Sequence, residues 1–364
     1  MSTVPETYTI PVGPLHVALE EPMYFRIDLR GETVANVELN AGHVHRGVEY
    51  LATKRSMFQN VVLTERICSL CSNSHPETFA MAAEQIAGIT IPERATYLRV
   101  IAAEVKRVAS HLFNVALGVH LTGYDTLFMH IMQVREIAND VKETVFGNRM
   151  DIGAICIGGA RYDLDAEITA FLMASLDRLE PEIETIIKTF RTNGTILGRL
   201  RGIGVLSKEE GIACGVVGPV ARASGIDYDV RREAPYAAYD RLPLAVHTLA
   251  DGDVWSRYMI RLQEALTAIE LIRACVRDLP EGPTHPEDRP EIPPGRAIAK
   301  CEAPRGELIY YLKTNDTPQP ERVKWRVPSF MNWDALRFML RDAKIADIAI
   351  IVNGIDPCVS CTER

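Results

Sequence analysis

Two CxxC pairs, Cys68–Cys71 and Cys358–Cys361, stand 287 positions apart, counted from 71 to 358. A CxxC turn aims two sulfurs at one metal, so each pair is half of a four-thiolate site. If one site takes both pairs, segments near opposite ends of a 364-residue chain must meet. Only Thr362, Glu363 and Arg364 follow the second pair, where chains usually fray. Spacing alone leaves three kinds of site level: structural zinc, an iron–sulfur cluster and another metal. Structural zinc pairs usually lie roughly 15–20 residues apart. Cluster ligands also sit closer together in the usual runs. A redox-active CxxC needs a thioredoxin-like βαβ context, which the sequence does not offer.

The remaining cysteines, Cys156, Cys214, Cys275 and Cys301, are scattered and read as ordinary buried cysteines. Eight cysteines in a chain of this length are no disulfide framework. Hydrophobic residues make up 47%, enough for a sizeable core. The net charge of -8 argues against a nucleic-acid partner. No apolar run reaches the ~18 residues of a membrane span. The N-terminal stretch MSTVPETYTIPVGP lacks the basic and apolar regions of a signal peptide. A cytoplasmic location is therefore expected.

The hydrophobic pattern divides the chain into three parts, treated as one unit of residues 1–364. Residues 1–43 read as β-rich: YFRIDL and TVANVEL alternate around Arg30-Gly31-Glu32 as a hairpin. Residues 44–279 read as a helical core. PETFAMAAEQIAG carries a Pro at its start and a Gly at its end. ERATYLRVIAAEVKRVASHLFNVALGVHL keeps apolar residues at helical spacing, with its charges expected on the opposite face. Three more long amphipathic helices follow, one with Pro181 as an expected interruption. LPEGPTHPEDRPEIPPGR (279–296) is a surface connection. Residues 297–364 read as α+β, with AIAKCEA, ELIYYLKT, RVKWRV and IADIAIIV as short β-like runs. The fold class is mainly α: a central long-helix bundle with small α+β regions at both ends.

The residues around the cysteines separate the metal readings. Arg66, Cys68, Cys71 and His75 form R-x-C-x-x-C-x-x-x-H, and the second pair sits in D-P-C-x-x-C. Together these resemble the large subunit of nickel–iron hydrogenases. GPLHVALEEP (13–22), GHVHRGVE (42–49), IGGARYDL (157–164) and EAPRGEL (302–308) resemble stretches of its membrane-associated, energy-converting branch. They also resemble the quinone-site subunit of respiratory complex I, a relative that lacks the four thiolates. The resemblance spans nearly the whole chain. Hydrogenase chemistry is expected, and a quinone-site module without it is the alternative.

The resemblance implies a Ni–Fe centre with CO and cyanide ligands on Fe. Cys68 and Cys358 would be terminal Ni ligands, and Cys71 and Cys361 would bridge the two metals. It implies reversible conversion of protons and electrons to H2, with Cys358 as first proton acceptor. Glu21 matches the family's proton-gate glutamate, while Glu20 reads as a solvated acid. Arg305 matches an arginine over the diatomic ligands. His75 would donate to a bridging sulfur, and Ser329, in VPSFMN, would donate to a cyanide. Glu49 matches a ligand for a structural Mg or Fe ion. The histidine that usually completes that site is replaced by Arg364, so an Arg364–Glu49 ion pair is the substitute reading. Ser69 stands where the family has Gly. His111, His120 and His130 read as helix-face or core residues. The family cuts its large subunit three residues past the last Cys, which matches a chain closing on Arg364.

No cysteine cluster remains for electron relay, so an iron–sulfur small subunit is expected. The resemblance adds membrane ion-translocating subunits and ferredoxin as electron carrier. Those partners would hold the chain peripherally at the cytoplasmic face of the membrane.

Overall fold

The computed structural model describes residues 7–16 and 21–364. Glu20 and part of the GPLHVALEEP segment lie outside the described residues. An antiparallel sheet opens the chain: β1 (Thr7–Val12), β2 (Tyr24–Arg30) and β3 (Thr33–Asn40). Arg30 pairs with Thr33, so Gly31 and Glu32 form the two-residue turn, with Gly31 at φ 63. Alternate residues Phe25, Ile27 and Leu29 are buried against the helices, which is the period-two pattern read above.

The core is built on long helices: α1 (Ser74–Ala87), α2 (Glu93–Leu121), α3 (Asp125–Phe146), α4 (Ala166–Thr192) and α5 (Val254–Arg277). Their ends follow local chemistry. Asp165 and Asp253 cap α4 and α5 by accepting from Ile168 N and Ser256 N, both at 2.8 Å. Gly88 closes α1 in the left-handed conformation at φ 64. Pro181 does not interrupt α4, contrary to the sequence expectation. An interior proline costs about 3 kcal/mol. Here Leu176, Leu179, Ile183, Ile186 and Ile187 are buried around it, and packing holds the helix through.

The charges of α2 also depart from expectation. Arg99, Glu104, Lys106 and Arg107 are buried, because α2 is the central helix and is covered on all sides. Periodicity separates a polar face from an apolar one, but not a face in water from one against buried polar partners. Here the partners exist: Glu104 pairs with Arg107 at 2.9 Å and with Arg231 at 3.1 Å, and Arg99 pairs with Glu84 at 2.6 Å. Buried charges of this kind persist only when paired.

The C-terminal part holds a second three-stranded antiparallel sheet: β4 (Gly295–Ala303), β5 (Gly306–Thr314) and β6 (Arg322–Arg326). IADIAIIV is not a strand: a 3-10 turn at Ile345–Asp347 leads into α6 (Ile348–Gly354). Its apolar half, Ile348 to Val352, is buried apart from Ala349, and so short an apolar run carries no period to tell helix from strand. α6 packs against α2, where Asn114 Nδ2 donates to Asn353 O at 3.0 Å. A last short helix, α7 (Val359–Thr362), ends the chain. Two apolar cores result. One lies among the long helices; the other lies beneath β4–β6 and contains all four motif cysteines. Cys275 and Cys301 are buried as expected, whereas Cys156 and Cys214 are only half-buried. No helix among the described residues is long and apolar enough to cross a membrane.

Candidate metal centre

Cys68 and Cys71 sit in the turn between the helix Met57–Thr64 and α1. Leu70 N donates to Cys68 Sγ at 3.3 Å, and Ser74 N donates to Cys71 O at 3.1 Å. Cys358 is the N-cap of α7, its sulfur accepting from Cys361 N at 3.4 Å. The two pairs meet. Cys358 Sγ lies 3.2 Å from Cys68 Sγ, and Cys71 Sγ lies 3.3 Å from Cys361 Sγ. The Cys68, Cys358 and Cys361 sulfurs fall within 4.8 Å of one another. All four cysteines are buried and none is in a disulfide.

Thiols this close titrate as a set. Cys71 is held well below the ordinary thiol range, first by hydrogen bonds from Cys358 and Cys361. Burial, followed by its sulfur neighbours, pushes Cys361 well above it. Four bare thiolates cannot share this space, since each like charge disfavours the next. A soft cation bound by all four removes that conflict, and four thiolates are a soft donor set.

The end of the chain is tied down rather than frayed. Arg46 Nη2 donates to Ile67 O at 2.7 Å and to Ser360 O at 3.1 Å, joining the backbones of both cysteine segments. Val44 N donates to Glu363 Oε2 at 2.6 Å, and Trp333 Nε1 donates to Thr362 Oγ1 at 2.9 Å. Arg46 lies within the GHVHRGVE motif, its only signal in the sequence, which by itself assigns it no role.

Arg305 occupies the two-residue tip between β4 and β5. Gly218 and Gly306 pin that tip by backbone contact: a Cβ on Gly218 would lie 2.3 Å from Arg305 O. Arg305 Nε donates to Asp356 O at 2.8 Å and Nη2 to Asp356 Oδ1 at 2.7 Å. Burial disfavours its charge, but Asp356 and then the sulfurs of Cys358, Cys68 and Cys71 outweigh burial and raise its affinity for the proton. Its Nη1 is buried with no hydrogen-bond partner among the described residues. The guanidinium is thus fixed by one acid beside the sulfurs, with a donor unused. Asp356 was not singled out in the sequence, although it opens the D-P-C motif.

His75 Nε2 lies 3.3 Å from Cys361 Sγ, and its Nδ1 lies 2.6 Å from the Tyr310 hydroxyl. Tyr310 carried no sequence signal beyond a strand pattern. Ser329 Oγ accepts from Cys358 N at 3.0 Å, so it is oriented by a ligand backbone. Glu21 reaches the same region: its Oε2 accepts from Ser360 N at 2.8 Å, and Ser360 Oγ donates to its other oxygen. Glu21 lines a cavity of ≈ 520 Å³ together with Cys68, Cys358, Arg46 and Arg135.

Glu49 is placed differently. Arg364 Nε donates to its Oε1 and Lys324 Nζ to its Oε2, each at 3.0 Å. Burial opposes ionisation there, but these two cations hold the carboxyl below its usual range. A carboxylate already shared by two cations does not fit a divalent ion. The four-sulfur cluster, with the spare donor of Arg305 beside it, does fit a thiolate-bound metal centre.

Comparison with known proteins agrees with this geometry. The chain is 63% identical over 359 residues to the carbon monoxide-induced hydrogenase of Rhodospirillum rubrum, covering 98% of this chain and 99% of that protein. This chain belongs to the nickel-dependent hydrogenase family. The family model for nickel-dependent hydrogenases matches residues 46–176 of the hydrogenase chain. The family model for the 49 Kd subunit of respiratory-chain NADH dehydrogenase matches residues 122–292 and 287–364. The membrane-bound hydrogenase subunit alpha of Pyrococcus furiosus is 36% identical over 371 residues, 98% of this chain and 87% of that one. A chain of the NADH-quinone oxidoreductase of Dehalococcoides mccartyi strain 195 is 35% identical over 368 residues, covering both chains fully. The first hydrogenase half-motif thus lies within the matched hydrogenase region, and the second lies within the region shared with the respiratory enzyme.

Proposed function

We propose that this hydrogenase subunit interconverts protons and electrons with H2 at a Ni–Fe centre held by Cys68, Cys71, Cys358 and Cys361. The convergence of the four sulfurs carries the reading. When bound, the centre supplies a redox-active site for heterolytic H2 chemistry, with Cys68 and Cys358 as terminal ligands of Ni. Cys71 and Cys361 would hold the Fe as well, whose CO and cyanide ligands the resemblance implies. Cys358 holds the proton first. Glu21, hydrogen-bonded across Ser360 to the same CxxC segment, receives it and passes it to the adjoining cavity. Arg305, locked by Asp356, offers Nη1 to the diatomic ligands and the reacting site. His75 donates from Nε2 to Cys361 and is oriented by Tyr310, which tunes the sulfur.

Electrons arrive through an iron–sulfur partner subunit, because no further cysteine group among the described residues is able to hold a cluster. Ferredoxin is the proposed carrier. A relative named as a membrane-bound hydrogenase subunit supports assembly with membrane subunits, which would translocate ions and hold this chain peripherally at the cytoplasmic face.

Metal analysis with infrared spectroscopy of the purified complex tests the reading. The expected result is Ni and Fe together with sharp bands from CO and cyanide. Zinc alone would point to a structural staple, and quinone binding without Ni to a complex I-type module. Glu21→Gln is expected to slow proton-dependent turnover roughly tenfold while those bands stay in place. Unchanged turnover would remove Glu21 from the route.

A further inference from the structure

A buried acid lines a different cavity from the one that Glu21 lines. Glu77 sits on α1 and is 2% exposed, with Oε1 lacking any partner among the described residues. One turn earlier, Asn73 occupies the N-cap of α1 without capping it. Both amide atoms of Asn73 are buried and equally unpartnered. Residues four apart share one helix face. Unpartnered polar atoms buried in this way are ordinarily satisfied by internal water. Asn73 follows the ligand Cys71 by two positions, so this polar face begins in the chain next to a ligand of the centre. It ends at a cavity of ≈ 360 Å³ lined by Glu77, Glu84 and Arg99 and reaching solvent at Gln85 and Thr90.

We propose that Asn73, Glu77 and this cavity form a second proton outlet from the metal centre, with Glu77 as its relay group. The proposal rests on the hydrogenase reading. A proton passes from water at the Asn73 amide to Glu77 Oε1, converting carboxylate to acid. It then leaves to water in the cavity, restoring the carboxylate; no electron moves. Charge around Glu77 supports the role. It faces Arg99, Glu104 and Arg107 from α2 and Glu84 from its own helix. Cys301 of β4 and the phenols of Tyr162, Tyr236 and Tyr239 also face it. Both arginines are committed, Arg99 to Glu84 and Arg107 to Glu104. Among the described residues no cation pairs directly with Glu77; burial, as the leading cause, outweighs the more distant pull of Arg99 and Arg107 and raises its pKa to about 8. A carboxyl that changes protonation near neutrality is matched to a relay, whereas a purely structural glutamate has no need of an unpartnered oxygen in a cavity wall.

The test is made on the complete metal-loaded complex, with Glu77→Gln and Glu77→Asp. Difference infrared spectra of the wild type should show a buried protonated carboxyl that titrates near pH 8. That signal should vanish in Glu77→Gln and shift in Glu77→Asp. Hydrogen oxidation by Glu77→Gln should fall roughly tenfold, with part of it restored by Asp and with Ni content unchanged. The carboxyl signal persisting without Glu77 would overturn the proposal. So would turnover that matches wild type across the pH range. If Gln prevents folding, the wild-type titration and the Asp variant still decide. Failure of the hydrogenase reading looks different: the wild-type complex itself would make no hydrogen, while the carboxyl titration would remain measurable.

Discussion

Cys361→Ser should leave the complex without nickel and lower hydrogen turnover on the order of 10³-fold or more, because ligands of one centre act as a unit. Cys361 contacts three other groups of the site. Its sulfur lies 3.3 Å from Cys71 Sγ and 3.3 Å from His75 Nε2, and its backbone N–H donates to Cys358 Sγ. A serine hydroxyl keeps the size but is a hard, weakly acidic donor that does not replace a soft thiolate. Folding should survive, since Arg46, Trp333 and Val44 hold this segment independently of the sulfur. The checks are nickel per complex by elemental analysis and hydrogen evolution with a reduced electron donor. Cys214→Ser, at a half-exposed cysteine outside the cluster, should keep both at wild-type level. A Cys361→Ser complex with full nickel and activity would remove this residue from the centre.

The parts of the site that were legible in sequence are those fixed by residue type at short spacing. The two CxxC pairs are of that kind; His75 and Arg305 were singled out through the resemblance, since an Arg before a Gly reads by itself as a turn residue. The convergence of positions 68–71 and 358–361 was expected only through the resemblance, because no local rule brings distant segments together. What stayed illegible depends on tertiary neighbours. Asp356 is an ordinary acid until the β4–β5 tip delivers Arg305 to it. Tyr310 is a strand residue until α1 places His75 against it. The same limit explains the fold differences. Packing turned the charges of α2 inward, made a helix of the end of IADIAIIV and carried α4 through Pro181. Each is a case in which packing outweighs a local preference of about 1–3 kcal/mol.

Arg305→Lys is the substitution that separates positioning from charge. The wild-type guanidinium uses Nε and Nη2 on Asp356 and keeps Nη1 for the space beside the sulfurs. A lysine retains the positive charge but has one ammonium, which cannot serve Asp356 at two points and also present a donor at a fixed angle. The Asp356 pair is the stronger attraction, so the ammonium should settle there and leave the metal side bare. Turnover is then expected to fall about 10²- to 10³-fold, the usual consequence of losing one preorganised donor. Nickel content should remain, because Arg305 touches no cysteine through a hydrogen bond and Gly218 and Gly306 still hold the hairpin tip. Infrared bands of the centre should shift in frequency, reporting the lost donor. Near-normal turnover in Arg305→Lys would mean that charge alone suffices and that the unused Nη1 has no part in the reaction. Loss of nickel would instead make Arg305 an assembly residue. The fold argues against that outcome, since the four sulfurs are brought together by α1, α7 and Arg46 rather than by the β4–β5 tip.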